Sequence, residues 1–240
     1  MQIDVWCKTD KGLRRESNQD SFLINRDLGL FVVADGMGGH SGGEVASKMA
    51  VDTAEAVMHD QATKKPAPRE SVHRMYEEAS HRIYDKAANE SPELSGMGTT
   101  MVLTLVSGSS LYIGNVGDSR AYLFRKPHLW QLTEDHSLLN EQLRAGLVRE
   151  DQIRQFVGRN VITRSVGYER DVNVDVLERP LKVGDCVLLC SDGLSGLITD
   201  AKLCEILNQF SSEEVVDRCI EAALAAGGDD NVTVLFLAVT

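Results

Sequence analysis

Four short apolar runs between residues 99 and 132 are joined by links of only a few residues, and this spacing limits the possible folds more than any other feature. The runs are predicted strands, because their links contain the turn residues Gly, Ser, Asp and Pro. The predicted strands are Thr99–Val106, Leu111–Val116, Ala121–Phe124 and Leu129–Leu132. Links this short permit only antiparallel pairing, because a parallel crossover needs about a dozen residues or more.

Elsewhere in the chain, strands cluster and helices come in pairs. Apolar residues recur at helical spacing from Glu44 to Met58 and in a second stretch that ends near Ala88. A second pair of helices is predicted at Ala201–Asn208 and Glu213–Ala225. The other predicted strands are Ile3–Cys7, Ser21–Asn25, Leu28–Ala34, Val172–Leu177, Val187–Cys190 and Val232–Val239. This order predicts an α+β fold with antiparallel sheets and disfavours a doubly wound parallel sheet.

The composition is typical of one globular domain, and no linker or repeat divides residues 1–240. The formal net charge is −11 and no basic block is present, which disfavours nucleic acid and anionic membrane as partners. Neither a transmembrane helix nor a signal peptide is predicted, so the expected location is the cytoplasm. The five cysteines are scattered without a Cys-x-x-Cys pair and are expected to be reduced.

Aspartates fall repeatedly at the ends of the predicted strands. Phe31–Ala34 leads into Asp35, and Val187–Cys190 leads through Ser191 into Asp192. Other acids at strand ends are Asp20, Asp118, Asp229 and Asp230. A single Asp-Gly pair is ordinary turn chemistry, but several carboxylates at one sheet edge would repel one another unless hard cations lay between them. Oxygen ligands alone favour magnesium or manganese over zinc.

Several short motifs contain these aspartates and follow one another along essentially the whole chain. They are Arg15–Asp20, Asp35–His40, Gly98–Thr100, Gly117–Arg120, Leu132–Ser137, Ser191–Gly193 and Gly228–Thr233. In residue type and order they resemble the bacterial metal-dependent Ser/Thr protein phosphatases of the PPM or type 2C family. The resemblance implies a four-layer α/β/β/α sandwich of two antiparallel sheets flanked by helix pairs, with a metal cluster at one end.

The resemblance also implies a set of metal ligands. Asp35 would bridge two metals, and the carbonyl of Gly36 would bind one of them. Asp192 and Asp230 would complete the ligands of the other metal. Asp20 would act on the metal pair through water. The expected cofactors are Mn²⁺ or Mg²⁺, two ions with a third beside them.

Other matched positions concern the third metal and the substrate. Asp118, together with Asp192, matches the third-metal position. Arg15 matches the arginine that holds the substrate phosphate, a role that suits a bidentate guanidinium. Met37 stands where eukaryotic members often place a histidine as general acid. His40 is therefore a candidate catalytic or substrate-contacting residue, and a loop-stabilising role is the alternative.

The predicted reaction is metal-dependent hydrolysis of phosphoserine and phosphothreonine in proteins, in opposition to a Ser/Thr kinase. A hydroxide that bridges the two metals would attack phosphorus in line, without a phosphoenzyme intermediate. The expected partners are phosphoprotein substrates, including a bacterial Ser/Thr kinase, and the expected state is a monomer. A polar excursion at about residues 136–168 resembles the flap of the family, and its arginines are candidates for substrate recognition: Arg144, Arg149, Arg154, Arg159 and Arg164.

Three other functions remain open at this point. The first is a stress-response phosphatase that acts on a single anti-sigma-antagonist protein, although Arg15 and Asp118 favour a general phosphatase. The second is an inactive module that binds phosphoproteins, which the retained aspartates disfavour. The third is a metal-dependent nucleotide hydrolase, for which the sequence offers no recognisable base-binding pocket.

Overall fold

The computed structural model describes residues 1–38, 42–61, 66–89, 92–158 and 160–240. The strands are β1 Ile3–Asp10, β2 Asp20–Asn25, β3 Leu30–Met37, β4 Gly98–Thr99, β5 Met101–Ser107, β6 Ser110–Val116, β7 Arg120–Arg125, β8 His128–Gln131, β9 Asp175–Pro180, β10 Cys186–Cys190 and β11 Val232–Val239. The helices are α1 Gly42–Gln61, α2 Pro68–Asn89, α3 Leu138–Arg144, α4 Asp192–Ser195, α5 Asp200–Gln209 and α6 Ser212–Ala225, with 3-10 turns at Pro92–Leu94 and Glu150–Gln155. None of the helices within these ranges is long and apolar enough to cross a membrane.

The strands form two antiparallel sheets, as the short links predict. One sheet has the order β1-β11-β10-β7-β8. The other has the order β2-β3-β5-β6-β9, with β4 paired to the end of β3. Strands β2 and β3 pair with Asp20 opposite Asp35.

Both faces of the central strands are buried, which produces the four layers. In β11, Val234 and Phe236 pack with residues of α4–α6, whereas Leu235 and Leu237 pack against the facing sheet. Helices α1 and α2 cover the outer face of the β2-β3-β5-β6-β9 sheet in the same way. Successive side chains of a strand point to opposite faces, so one apolar run fills two cores. The predicted α/β/β/α sandwich is confirmed.

One short link does not join paired strands. Residues Gly117–Ser119 carry the chain from β6 in one sheet to β7 in the other. The expectation that every short link pairs its two neighbouring strands is therefore wrong at this position. Gly117 has a φ of 102°, and a Cβ there would lie 2.6 Å from the Cβ of Thr100, so only glycine fits this tight crossover. The crossover places Asp118 at the end of the sandwich.

Several element boundaries also differ from the prediction. Strand β3 begins at Leu30 instead of Leu28, because Gly29 closes a turn with its N–H donating to the Arg26 carbonyl. The strand predicted at Val172–Leu177 is shifted to β9, where it pairs with β6. Within the flap, Glu150–Gln155 is a 3-10 turn, and the one-turn helix α4 was not predicted.

Candidate metal centre

The ends of four strands bring carboxylates to one end of the sandwich. Asp20 opens β2, and Asp35 lies opposite it near the end of β3. Asp192 follows β10, and Asp230 precedes β11, the antiparallel neighbour of β10. The start of one antiparallel strand lies beside the end of the next, so each pair shares an edge. Asp118, from the crossover, lines the same cleft as Asp192 and Asp230.

Asp20 links the two sheets. Its Oδ2 accepts hydrogen bonds from Ser191 Oγ at 2.8 Å and Thr233 Oγ1 at 2.6 Å. Ser191 Oγ in turn accepts from the Thr233 backbone N–H at 3.0 Å. Two hydroxyl groups from the β10–β11 side thus hold a carboxylate that belongs to the opposite sheet.

Asp35 is held by its backbone. Its N–H donates to Thr100 Oγ1 at 3.0 Å, and the Thr100 N–H donates to the Asp35 carbonyl at 2.8 Å. Thr100 Oγ1 also lies 2.8 Å from Ser119 Oγ, next to Asp118. The following residue, Gly36, packs against the start of α1 so closely that a Cβ would lie 2.0 Å from the Gly43 carbonyl oxygen. The motif Gly98–Thr100 therefore supports the Asp35 backbone.

Burial and the neighbouring carboxylates both oppose ionisation of the aspartates in this cluster. Burial, reinforced by Asp192 and Asp230 and opposed by its hydroxyl partners, raises the pKa of Asp20 to about 7. Burial and the neighbouring Asp192 raise the pKa of Asp118 to about 7. Burial and then Asp20 raise the pKa of Asp35 well above its ordinary value, and burial and Asp230 raise that of Asp192. A cation would relieve this repulsion.

The donor atoms fit hard divalent cations. Asp20, Asp118 and Asp192 each have a buried carboxylate oxygen with no hydrogen-bond partner within the described ranges. Together with the carbonyl of Gly36, these donors are all oxygens, the ligands that Mg²⁺ and Mn²⁺ prefer. No group of three or more His, Cys, Asp or Glu side chains in the described part of the chain already has the arrangement of a metal site. Asp230 is bound to Arg15, so it would have to exchange this partner for a cation.

Arg15 lies at the edge of the carboxylate cluster. Its Nη2 donates to Asp230 Oδ2 at 2.6 Å. Asn231 fixes the loop that carries Arg15, because its Nδ2 donates to the carbonyls of Lys11 and Ser17, each at 2.9 Å. The loop between β1 and β2 is thereby fastened to the start of β11. Arg15 can reach a ligand bound at the cluster.

The structure thus brings together six of the residues singled out from the sequence: Arg15, Asp20, Asp35, Asp118, Asp192 and Asp230. Gly36 follows Asp35 at the same strand end. His40 lies outside the described residues. The hydroxyl partners Thr100, Ser191 and Thr233 were missed as site residues. They lie within the recognised motifs, but a sequence does not show which carboxylate a hydroxyl will hold.

Comparisons with known proteins show the family of the chain. The family model for Protein phosphatase 2C matches residues 13–234. The serine/threonine phosphatase stp of Listeria innocua is 37% identical over 236 residues, which cover 96% of this chain and 93% of that protein. The crystal structure of the Mycobacterium tuberculosis serine/threonine phosphatase PstP/Ppp has a TM-score of 0.91 at 32% identity and covers 99% of this chain and 98% of that one. The catalytic domain of PstP in complex with two manganese ions has a TM-score of 0.86 at 32% identity, with 99% of each chain covered.

The fold is that of the metal-dependent protein phosphatases. The chain belongs to the protein phosphatase 2C family. The resemblance on which the sequence prediction rested is confirmed, and so are the predicted fold and enzyme class.

The repulsion among the aspartates predicts how Asp118→Asn changes stability. In chelator the variant should melt above wild type, by about 2–4 °C for each kcal/mol of repulsion removed. It should also gain less from added Mn²⁺, because one ligand charge is lost. Thermal unfolding followed by circular dichroism measures both effects, and Asp27→Asn in the exposed β2–β3 turn is the control. A lower melting temperature in chelator, or an unchanged response to Mn²⁺, would contradict the proposed repulsion.

Proposed function

We propose that this protein hydrolyses phosphoserine and phosphothreonine in phosphoproteins, in opposition to a Ser/Thr kinase and with divalent metal as cofactor. Its relatives stp and PstP are named serine/threonine phosphatases, which supports this substrate class. The observation that carries the proposal is the convergence of five buried or half-buried aspartates with one arginine at the end of the sandwich. A bacterial Ser/Thr kinase is the expected partner. The monomeric state and the cytoplasmic location stay predictions.

We assign the metal ligands as follows. Asp35 and the carbonyl of Gly36 would hold one metal, and Asp35, Asp192 and Asp230 would hold a second. Asp20 would act on these metals through water, since two hydroxyls already engage its carboxylate on one side. Asp118 and Asp192, which line one cleft, would hold a third ion. The manganese complex of PstP supports Mn²⁺, and the oxygen ligands are equally suited to Mg²⁺.

Bound cations and side chains of the protein would have different tasks in the reaction. Bound divalent cations lower the pKa of water and neutralise phosphate oxygens, which supplies a nucleophile and charge stabilisation for in-line phosphoryl transfer. Arg15 offers parallel N–H donors to the substrate phosphate, which would compete with Asp230 for the guanidinium. Thr100, Ser191 and Thr233 keep the carboxylates oriented. The general acid is not assigned, since Met37 cannot donate a proton and His40 stays a candidate.

Cysteine nucleophiles are unsuited to this reaction. Burial raises the thiol pKa of Cys7, Cys190 and Cys219 to about 12 and that of Cys186 to about 11. These thiols are therefore protonated near neutral pH, and the thiolate is the reactive form. A phosphocysteine intermediate at any of these four positions is therefore disfavoured.

The proposal is tested by assaying phosphate release from a phosphothreonine peptide and from ATP, each with Mn²⁺ and with excess chelator. Turnover of the peptide that requires Mn²⁺ supports a protein phosphatase. Preference for ATP would indicate nucleotide hydrolysis, and binding of the peptide without turnover would indicate an inactive module. Full peptide turnover in chelator would refute the metal requirement.

Asp35→Asn is expected to lower kcat by at least about two orders of magnitude, the scale expected when a principal electrostatic group of an active site is lost. The substitution keeps the backbone bonds to Thr100 but removes the charge shared between two metals. Steady-state kinetics and metal analysis measure the effect, with Asp27→Asn as control. A near-normal rate with normal metal content would show that Asp35 is not the bridging ligand.

Arg15→Ala is expected to raise KM by about 10–100-fold and to change kcat less, because a phosphate contact present in the bound substrate acts mainly on binding. The neighbouring Arg14 is the matched control. Its side chain is 74% exposed and lies 3.8 Å from Asp229, outside the proposed ligand set. Equal kinetics for the Arg15→Ala and Arg14→Ala variants would exclude the phosphate contact.

Three of the flap arginines form ion pairs with acidic side chains. Arg144 pairs with Glu134, Arg149 lies 3.0 Å from Asp151, and Arg164 lies 2.8 Å from Asp175. Arg159 lies outside the described residues. Arg144 and Arg149 are the most exposed of the three and the best candidates for contact with a phosphoprotein.

Neutralising Arg144 and Arg149 together, as Arg144→Gln and Arg149→Gln, should lower kcat/KM for a phosphoprotein by about two- to tenfold, because exposed charges mainly affect the association rate. Hydrolysis of a small aryl phosphate should stay unchanged. Arg179→Gln is the control, since this residue pairs with Leu111 at the other end of β9 from Asp175. Equal losses on both substrates would assign the two arginines to the fold or the metal centre instead of to recognition.

A further inference from the structure

His136 lies where the flap leaves the β7–β8 edge, and it is bonded to the crossover that carries Asp118. The His136 N–H donates to the Gly117 carbonyl at 2.9 Å. In return, the Gly117 N–H donates to His136 Nδ1 at 3.1 Å. Asn115 adds a third bond, from its Nδ2 to the Glu134 carbonyl at 3.0 Å. The backbone immediately before Asp118 is therefore fixed by the first residue of the flap.

The same histidine also contacts the returning end of the flap. The Thr163 N–H donates to the His136 carbonyl at 2.9 Å. Arg164 Nη1 donates to Asp175 Oδ1 at 2.8 Å and to the Asn173 carbonyl at 3.1 Å, and it lies 3.0 Å from His136 Nε2. His136 Nε2 lies 3.1 Å from Asp175 Oδ2. Both ends of the flap thus meet at one buried side chain, which is 7% exposed.

The hydrogen bonds define the tautomer of the ring. Because Nδ1 accepts from Gly117, the proton of the neutral ring is on Nε2 and donates to Asp175. Burial lowers the pKa of His136 in spite of the contact with Asp175. Partial burial opposes ionisation of Asp175, but the bonds from His136 and Arg164 lower its pKa overall. Nδ1 therefore binds the Gly117 amide of the crossover, and Nε2 binds Asp175 at the start of β9.

We propose that His136 is a positioning residue for the metal centre. Through Nδ1 it fixes the Gly117 amide and so the orientation of Asp118, and through Nε2 it connects this backbone to Asp175 at the start of β9, which also accepts from Arg164 of the flap. The proposal rests on the metal role of Asp118 in the proposed function. Residues that orient ligands from outside the ligand set commonly change metal affinity by about 10–100-fold when replaced.

Two amide variants distinguish the roles of the two ring nitrogens of His136. The side-chain oxygen of His136→Asn lies near the position of Nδ1 and can accept from Gly117. The longer side chain of His136→Gln reaches towards Asp175 and leaves the buried Gly117 N–H without an acceptor. A purely structural role would make the two variants alike apart from their melting temperatures. His81→Gln is the matched control. His81 lies on helix α2 and also pairs with an aspartate, since its Nε2 lies 3.1 Å from Asp171 Oδ1.

The experiment measures amide hydrogen exchange at Gly117 by NMR and Mn²⁺ binding by calorimetry, on the full chain well below its melting temperature. In His136→Gln, exchange at Gly117 is expected to be at least about tenfold faster, since the amide loses its acceptor, and the weakest Mn²⁺ equivalent should bind about 10–100-fold less tightly. His136→Asn keeps an acceptor for Gly117 but loses the contact with Asp175, so it should lie between wild type and His136→Gln, whereas His81→Gln should match wild type in both measurements. Equal behaviour of the Asn and Gln variants would overturn the proposal.

A further variant covers the case in which His136→Gln does not fold. Asp175→Asn keeps the shape of the side chain and removes the charge that orients Nε2, so it should also speed exchange at Gly117 and weaken the same Mn²⁺ equivalent. Unchanged values in Asp175→Asn would overturn the coupling to the flap end. If wild type shows no Mn²⁺-dependent phosphatase activity, the proposed function fails, whereas the exchange at Gly117 still tests the positioning role on its own.

Discussion

Repulsion among buried aspartates is the constraint on which the rest of the structure depends. Antiparallel pairing within each sheet places Asp20 beside Asp35 and Asp192 beside Asp230, and stacking of the sheets brings the two pairs together. Such a cluster is unfavourable in a buried place unless positive charge reaches it. Around the cluster lie large apolar cores, in which continuous apolar runs are buried on both faces and stabilise the fold.

The way in which the carboxylates are held preserves their charge for ligands. Asp20 receives its hydrogen bonds from the hydroxyls of Ser191 and Thr233, which are neutral donors. Elsewhere in the same fold a structural aspartate is held by a cation: Asp185 is bound by Arg125, which lowers its pKa although partial burial opposes the shift. Neutral donors orient a carboxylate without neutralising it. Asp20 differs in this respect both from Asp185 and from Asp230, whose carboxylate is paired with Arg15.

The sequence predicted the antiparallel sheets, the helix pairs and the meeting of the aspartates, because these follow from link lengths and from where the apolar runs end. It did not predict that the Gly117–Ser119 link changes sheets, since a hairpin and a crossover use the same turn residues. Nor did it identify Thr100 as the support of Asp35, because that contact joins residues 65 positions apart. Helix α4 was missed because one helical turn has no periodicity to detect. The catalytic role of His40 stays a prediction.

The division of the site between two stacked sheets, which the chain crosses at Gly117, has a mechanical consequence. The candidate ligands are divided between two layers, with Asp20 and Asp35 on one sheet and Asp192 and Asp230 attached to the other. The distance between the layers is set by the side chains packed between them, in a core about 10 Å thick. The size of the side chains packed between the sheets therefore sets the distance between the two groups of candidate ligands. In this enzyme the interior between the sheets is part of the active-site geometry, although none of the clustered apolar side chains there is a candidate ligand.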